Sequence, residues 1–326
     1  MTWAGRGDRN HHFLVSSVLA VTELEDSKST MSWSLNSLLP DLNRRLSQVT
    51  ELPPLPEVAH GLLKLKQDPG ADARKLAALI ELDPSMASQI MKYAGSAFFG
   101  YRGKIESIQD AVGRVLGFEK AMHIALGLAA GKALSHSREG PLGLRAFWTH
   151  AFKSAHLMQA LARSTSTQPR PSLGLLYLAG LVHDIGFLLL GYLLEPEFNI
   201  LNRAVEENPD APITQIEVET LGLTHAELGV GLLRQWKMPQ EVLAVVLNHH
   251  NVYYQGEWAN YVRLAILADT LLKKEHGGDG ELDALPANIL IALGLTDDDA
   301  NEALASLNEQ QEGIDGLVAQ IVQSER

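Results

Sequence analysis

The sequence predicts an all-α protein of two helical lobes, and three observations carry that prediction. Apolar residues recur at helical spacing along most of the chain. Ser, Thr, Asp and Pro stand directly before those runs, where helices start. The alternating β-branched runs joined by Asn-Gly turns that mark hairpins are missing. One polar segment, Ser135–Gly143 (SHSREGPLG), interrupts the series and divides an N-terminal lobe over residues 35–135 from a second lobe over 144–276.

Composition narrows the function classes. A chain of 326 residues, 46% of them hydrophobic, buries a substantial core. The net charge of −12 leaves no basic surplus to displace counterions, so nucleic acid is not an expected partner. The absence of cysteine excludes disulfides, thiolate nucleophiles and Cys-type zinc sites, and it fits a reducing, cytoplasmic compartment.

Residues 1–34 read as a disordered tail or an over-called start. Their apolar stretch, Phe13–Val21, is too short for a secretory signal and is broken by Ser16 and Ser17. An amphipathic helix follows at Leu35–Leu46. Pro53, Pro54 and Pro56 then enforce an extended entry to a helix at Glu57–Gln67. Asp68-Pro69-Gly70 is a turn. Asp72 caps a helix through Leu82, and Asp83 with Pro84 supplies the cap and first residue of a helix through Tyr93. Gly95–Lys104 reads as a loop whose Phe98, Phe99 and Tyr101 either pack on the core or offer a partner patch. Ser107 caps a helix through Leu116, Gly117 breaks it, and an Ala- and Leu-rich helix runs to Leu134.

The second lobe reads as helices at Leu144–Ser164, Leu173–Leu194, Glu197–Glu207, Ile213–Leu221, His225–Gln235, Gln240–His249 and Ala259–Lys274. Thr224 and Glu227 form a capping box, and Pro239 stands at a helix start. The segment 280–326 is an acidic tail, in which Thr296 caps an amphipathic helix carrying Leu304, Leu307, Leu317, Val318 and Ile321 on one side. Leu173–Leu194 is long enough to span a bilayer. Asp184 at its middle would cost about 2.5–3.5 kcal/mol there, and Glu195 and Glu197 follow it in place of a basic flank. The expectation is a buried core helix and no membrane span.

His150, His183, Asp184, His225, His249, His250 and Asp269 each lie in or beside an apolar helical run. A buried, unpaired charge costs several kcal/mol, so Asp184 and Asp269 require compensation. A metal ion held jointly balances both and takes neutral imidazole as ligand. Each residue also has a plainer explanation. His150 and His183 suit core histidines bonded to backbone carbonyls. Asp269 suits a partner hydroxyl, Arg263 being on the wrong face. His249 and His250 suit a helix C-terminal dipole. His225 stands at a helix start, where the dipole disfavours imidazolium and a neutral ligand fits better. His60, His123, His136, His156 and His276 lack such a context and read as ordinary residues.

The order His150, His183-Asp184, His225, His249-His250, Asp269 resembles the HD superfamily of metal-dependent phosphohydrolases, and the HDIG string at 183–186 is similar to its HD-GYP phosphodiesterase branch. Upstream, LPPLPEVAHGLLKL, LDPSMASQIMKYAGSAFFG and IESIQDAVGRVLGFEKA resemble the N-terminal lobe of the HD-related output domain (HDOD) family. The resemblance covers Leu52 to Lys274. It implies an all-helical bacterial signalling and regulatory protein with an N-terminal HDOD lobe and a C-terminal HD-like bundle, in a family whose members mostly have no established catalytic activity. The chain departs from HD-GYP in having Phe187 where a lysine follows HDIG, and in reading NHHNVYYQGEW where a Gly-Tyr-Pro loop is expected. Ala94-Gly95-Ser96 replaces the Ala-Asn-Ser turn usual in HDOD proteins.

By analogy with HD-GYP, Asp184 bridges two cations, with His150, His183 and Asp269 on one and His225, His249 and His250 on the other. The donor set suits one or two ions of a divalent transition metal: Fe, Mn, Ni or Zn. Lys153, three residues after His150 and on the same face, is the candidate for holding a phosphate, and with Asp184 it completes the candidate catalytic residues. Two functions follow: a regulatory module that binds a protein partner and uses the metal site for structure or ligand sensing, or a phosphohydrolase acting on a nucleotide or cyclic dinucleotide. The missing lysine favours the first. No Gly-rich phosphate cradle, serine elbow or Rossmann fingerprint is present.

Overall fold

Pro56 occupies the N-cap of the first described helix, α1 (Glu57–Lys66), and its fixed φ of −54° delivers the chain in the extended form expected of the proline cluster. The computed structural model describes residues 52–96, 99, 101–134, 139–276, 280, 282 and 284–324. The expectations for residues 1–34, for Leu35–Leu46, for Phe98 and for 135–138 lie outside the described residues.

Local capping sets the N-terminal lobe. The Asp72 carboxylate accepts from Lys75 N–H at the start of α2 (Ala73–Ile80). Asp83 accepts from Ser85 and Met86 N–H at the start of α3 (Pro84–Ala94), with Pro84 at its first position. Ser107 caps α4 (Ile108–Asp110), which runs straight into π-helical turns at Ala111–Leu116 in place of the α-helix expected there. Gly117, at φ 77°, then turns the chain into α5 (Phe118–Lys132). Phe99 packs edge-on against Tyr93 with ring centroids 5.1 Å apart, so this ring of the predicted aromatic loop belongs to the core.

The second lobe is built on α6 (Leu144–Ser164), α7 (Leu173–Val182), α8 (Ile185–Leu193), α9 (Glu195–Glu207), α10 (Ile213–Leu221), α11 (His225–Gln235), α12 (Gln240–Asn248) and α13 (Ala259–His276). The Thr224–Glu227 capping box forms as expected. Helix α7 is sandwiched by α5, α6 and α12, while α8 packs on α11 and α9, and α6 also packs on α13. No strand occurs among the described residues, and a single apolar cluster runs through both lobes.

Two expectations are corrected. The run Leu173–Leu194 is not one helix: it divides at His183-Asp184 into α7 and α8, with Asp184 at φ −97°, ψ 14°. The His183 Nδ1–H donates 2.9 Å to Gly180 O, the carbonyl that the Asp184 N–H would take in an unbroken helix. Its apolar window is 94% buried inside the fold, as a core segment. The single C-terminal helix is in fact two, α15 (Asp297–Asn308) and α16 (Gln311–Ser324), preceded by an unexpected α14 (Ala287–Leu293) that ends on Gly294 in the left-handed region. Helices α15 and α16 pack on α6, and α16 also reaches α3.

A buried polar chain fastens the lobes together. The His156 Nδ1–H donates 2.7 Å to Phe152 O, which leaves Nε2 to accept from the Tyr93 hydroxyl at 2.9 Å. The Tyr93 oxygen, thus committed as donor, accepts from the Tyr177 hydroxyl at 2.6 Å. Three helices, α3, α6 and α7, are joined by it. Burial pushes the His156 pKa down to about 3, and burial with the Lys66 charge pushes that of His123 down to about 4.

Tyr93→Phe removes the hydroxyl that donates to His156 Nε2 and should destabilise the protein by about 1–3 kcal/mol in equilibrium denaturant unfolding. The two histidines are neutral when folded and protonate more readily when unfolded. Their contribution is therefore complete above the unfolded value near 6.5 and is lost as pH falls toward 4. Unfolding free energies measured from pH 7 to pH 4.5 should fall with acidity, and less steeply in His156→Gln.

Candidate metal centre

The centre is assembled at helix ends and at one helix break. Helix α6 supplies His150 and Ser154, the α7–α8 junction supplies His183 and Asp184, α11 begins with His225, His249 caps the C-terminus of α12 and His250 follows it, and α13 supplies Asp269. Two glycines let these helices close up. A Cβ at Gly180 would collide with the Ala155 backbone, and one at Gly186 would fall on the carbonyl oxygen of His225.

Every predicted ligand is brought to one place. The His150 and His183 Nε2 atoms lie 3.1 Å apart. Asp184 Oδ2 is 3.5 Å from the first and 3.3 Å from the second, and Asp269 Oδ1 is 3.5 and 3.6 Å from them. On the other side, His225 Nε2 lies 3.1 Å from His249 Nε2 and 3.3 Å from His250 Nε2. Asp184 Oδ1 is 3.4 Å from both His225 and His249. The two Asp184 oxygens thus face two separate donor sets.

The backbone fixes which nitrogen faces inward. His183 gives its Nδ1–H to Gly180 O, and His249 gives its own to Val245 and Val246 O, carbonyls of the last turn of α12. The His225 Nδ1–H lies 2.9 Å from both Glu217 oxygens, and its backbone N–H, an orphan at the start of α11, donates to Glu217 Oε1 at 2.7 Å. In all three Nε2 points at its neighbours, and in the neutral ring it carries the lone pair. Such lone pairs repel unless a proton or a cation sits between them. Asp184 Oδ1 and Asp269 Oδ2 are buried without a hydrogen-bond partner. Donor separations of 3.1–3.6 Å match the edges of a polyhedron around an ion about 2.0–2.2 Å from each donor. The cluster is compatible with a divalent metal.

The electrostatics agree. Burial raises the Asp184 pKa, but His183, His225, His249 and His150 outweigh it and hold the carboxyl well below its usual range. Burial lowers the His225 pKa, but Glu217 and Asp184 outweigh that and push it well above the ordinary histidine value, and Asp184 raises that of His249 against its burial. Burial pushes the Glu217 carboxyl up. The carboxylates draw positive charge onto the imidazoles, and a cation in their midst supplies the same charge.

Glu217 was not singled out by sequence reasoning. Its signal is a lone carboxylate beside Ile216 on the buried side of α10, eight residues before His225. Ser154, 3.3 Å from Asp269 Oδ1 and one turn beyond His150, was also missed. Phe187, in the place of the HD-GYP lysine, stacks on the His225 ring at 4.2 Å and 24°.

The centre opens into a cleft of about 400 Å³ whose lining includes His150, Asp184, Phe147, Phe187 and two lysines, Lys153 and Lys273. Lys153, the predicted phosphate holder, is 4% exposed. Lys273, four residues after Asp269 on α13, was not predicted.

The HDOD domain pattern matches residues 52–252. The chain belongs to the HDOD domain family. Its fold is similar to the crystal structure of a Marinobacter aquaeolei VT8 protein named for signal transduction, at 30% identity over 97% of this chain and 67% of that one, TM-score 0.75. It is also similar to an HDOD domain protein of unknown function from Geobacter sulfurreducens, at 24% identity over 88% of this chain and 99% of that one, TM-score 0.69. A Shewanella amazonensis SB2B protein named as a metal-dependent phosphohydrolase shares the fold at 22% identity over 87% of this chain and 99% of that one, TM-score 0.61. An uncharacterised protein of Treponema pallidum (strain Nichols) is 24% identical over 210 residues, which span 64% of this chain but only 40% of that relative. The HDOD match ends at residue 252, just past His250, so Asp269 and Lys273 come to the centre from a helix beyond it.

Gly186→Ala should force α8 away from α11. A loss of about 1–3 kcal/mol in denaturant unfolding is expected, with a parent-like result showing that the close approach is not required.

Proposed function

We propose that this HDOD protein is a cytoplasmic signalling and regulatory module whose second lobe holds two divalent transition-metal ions beneath a cleft for a phosphorylated ligand. One observation carries the reading: two sets of donors share Asp184, one oxygen to each, at the floor of that cleft. His150, His183 and Asp269 would hold one ion with Asp184 Oδ2, and His225, His249 and His250 the other with Asp184 Oδ1. The carboxylate and imidazole set suits Fe, Mn, Ni or Zn. Glu217 would orient His225 and strengthen it as a donor, in the manner of carboxylate–histidine–metal triads. The ligand state of the cleft would be read by a protein partner, in line with the name borne by the Marinobacter relative.

A second reading is hydrolysis of the bound ligand. It is favoured by the burial of Lys153 in the cleft wall, one turn from His150. When bound, a metal pair supplies Lewis acidity and a water of lowered pKa. Lys153 would hold a phosphoryl oxygen, and the apolar walls would limit the access of bulk water.

Elemental analysis of the purified protein should find up to two equivalents of transition metal, and Asp184→Ala should lose both, since it serves both donor sets. Metal-free protein of parent-like stability would overturn the reading. Metal together with turnover of a generic phosphate ester, lost in Asp184→Ala, would establish the hydrolase; metal without turnover supports the regulatory module. Glu217→Gln should weaken metal binding about 10–100-fold in competition with a chelator. Because His225 and His249 are pushed toward the protonated form, metal uptake must displace protons. Apparent metal affinity should therefore rise with pH through neutrality, with proton release seen as a buffer-dependent heat in calorimetry.

A further inference from the structure

The two lysines of the cleft stand in the same relation to the centre. On α6, Lys153 comes three residues after His150; on α13, Lys273 comes four residues after Asp269. Side chains so spaced share a helix face. Helices α6 and α13 pack against each other, and both lysines line the one cleft. Each of two neighbouring helices thus presents a metal donor and, one turn further on, a cation facing the same space.

The rest of the lining has a different character. Among the described residues of the lining Asp184 is the only carboxylate, and it is directed to the two histidine sets. Leu142, Phe147, Phe187, Ile213 and Ile216 make the other walls apolar. The position after HDIG, basic in the HD-GYP pattern, is occupied by the Phe187 ring, so both lysines among the described lining residues stand on the α6–α13 side. A volume of about 400 Å³ lies toward the low end of small-molecule sites, roughly 300–1,000 Å³.

We infer that the cleft selects a phosphate monoester, a dianionic head on one compact apolar or aromatic body, over phosphate diesters. The inference rests on the metal reading above and adds the ligand class. With Asp184 and Asp269 offsetting only part of the charge of two divalent ions, and two lysines added, the head region is strongly cationic. A terminal phosphate brings a charge of about −1.5 to −2 near neutral pH and three acceptor oxygens, enough to meet the ions and both lysines. A diester brings a single charge, and its second substituent would take the place of an oxygen among these cations. Among the described residues, the walls away from α6 and α13 accommodate one body and offer no cation for a second phosphate.

The test uses the full chain loaded with Mn²⁺, its metal content fixed by elemental analysis, and two probes with the same ring: phenyl phosphate and methyl phenyl phosphate. Binding is read by calorimetry, independently of turnover. The monoester should bind at least about tenfold more tightly, the scale of one charge-assisted contact. Lys153→Met and Lys273→Met should each remove about tenfold of monoester affinity, with a smaller loss for the diester and metal content near the parent value. Lys273 is the less buried of the two, so its variant keeps the test open if Lys153→Met fails to fold. Equal binding of the two probes, tighter binding of the diester, no binding of either to metal-loaded protein, or parent-like monoester affinity in both folded lysine variants would overturn the inference and leave the metal reading standing. A chain that takes up no metal would overturn both.

Discussion

The Asp184 carboxylate, 5% exposed and held among imidazole Nε2 atoms that face it, is the contact on which the second lobe turns. An isolated carboxylate in such a place would neutralise itself or unfold its surroundings. Here the protein has done the opposite and removed the alternatives. Backbone carbonyls engage the outer nitrogens of His183 and His249, and a buried glutamate engages that of His225, so the inner nitrogens have only each other and the carboxylates. Pure packing would not produce that arrangement, because lone pairs at 3.1 Å repel. Positive charge between them, as protons or as metal, is what makes it stable.

This requirement explains features that propensity alone does not. Two adjacent residues on a regular helix diverge by about 100°, so His183 and Asp184 could not both reach one centre had α7 continued. The helix breaks where they stand, and the imidazole of the first occupies the carbonyl that the second has vacated. Gly186 then lets α8 fold down on the carbonyl of His225, bringing the second donor set within reach of the other Asp184 oxygen. Helix α6 is the common spine. It carries His150 at one point and His156, two turns on, in the buried chain to Tyr93 and Tyr177, so the face that meets the N-terminal lobe and the face that meets the centre belong to one rigid element.

What the sequence disclosed, and what it did not, follows from the range of each interaction. Caps are local, so Asp72, Asp83, Ser107, Thr224 and Thr296 were legible and each makes its bond. The helices Leu144–Ser164, Ile213–Leu221 and His225–Gln235 keep their expected bounds because turn residues flank them. The break at 183–184 left no mark on the apolar pattern, since its cause is a side chain competing for a backbone bond. The candidate donors were legible because acids and histidines inside greasy runs are conspicuous. Glu217 was not, since one glutamate in a helix looks like a solvated face until the fold lays His225 over it. His156 and His123 were passed over for the same reason, their burial being a property of how the lobes meet. The ordered ligand pattern gave the family, but Lys273 became visible only when α13 was laid against α6.

The contribution of α13 bears on how the centre is put together. The family pattern closes at residue 252 and already includes both histidine sets and the bridging aspartate, yet the first set has its second carboxylate only through Asp269. That residue is carried by a helix packed on α6 and α12, and α6 is in turn covered by α15 and α16. The acidic C-terminal segment therefore shares a supporting helix with the centre: its apolar side rests on α6, whose other faces hold His150 and Lys153. A shift of α6 alters both at once. Physical continuity of this kind, from a covering helix through one spine to the paired donor sets, ties the packing of the C-terminal segment to the geometry of the centre without a separate hinge.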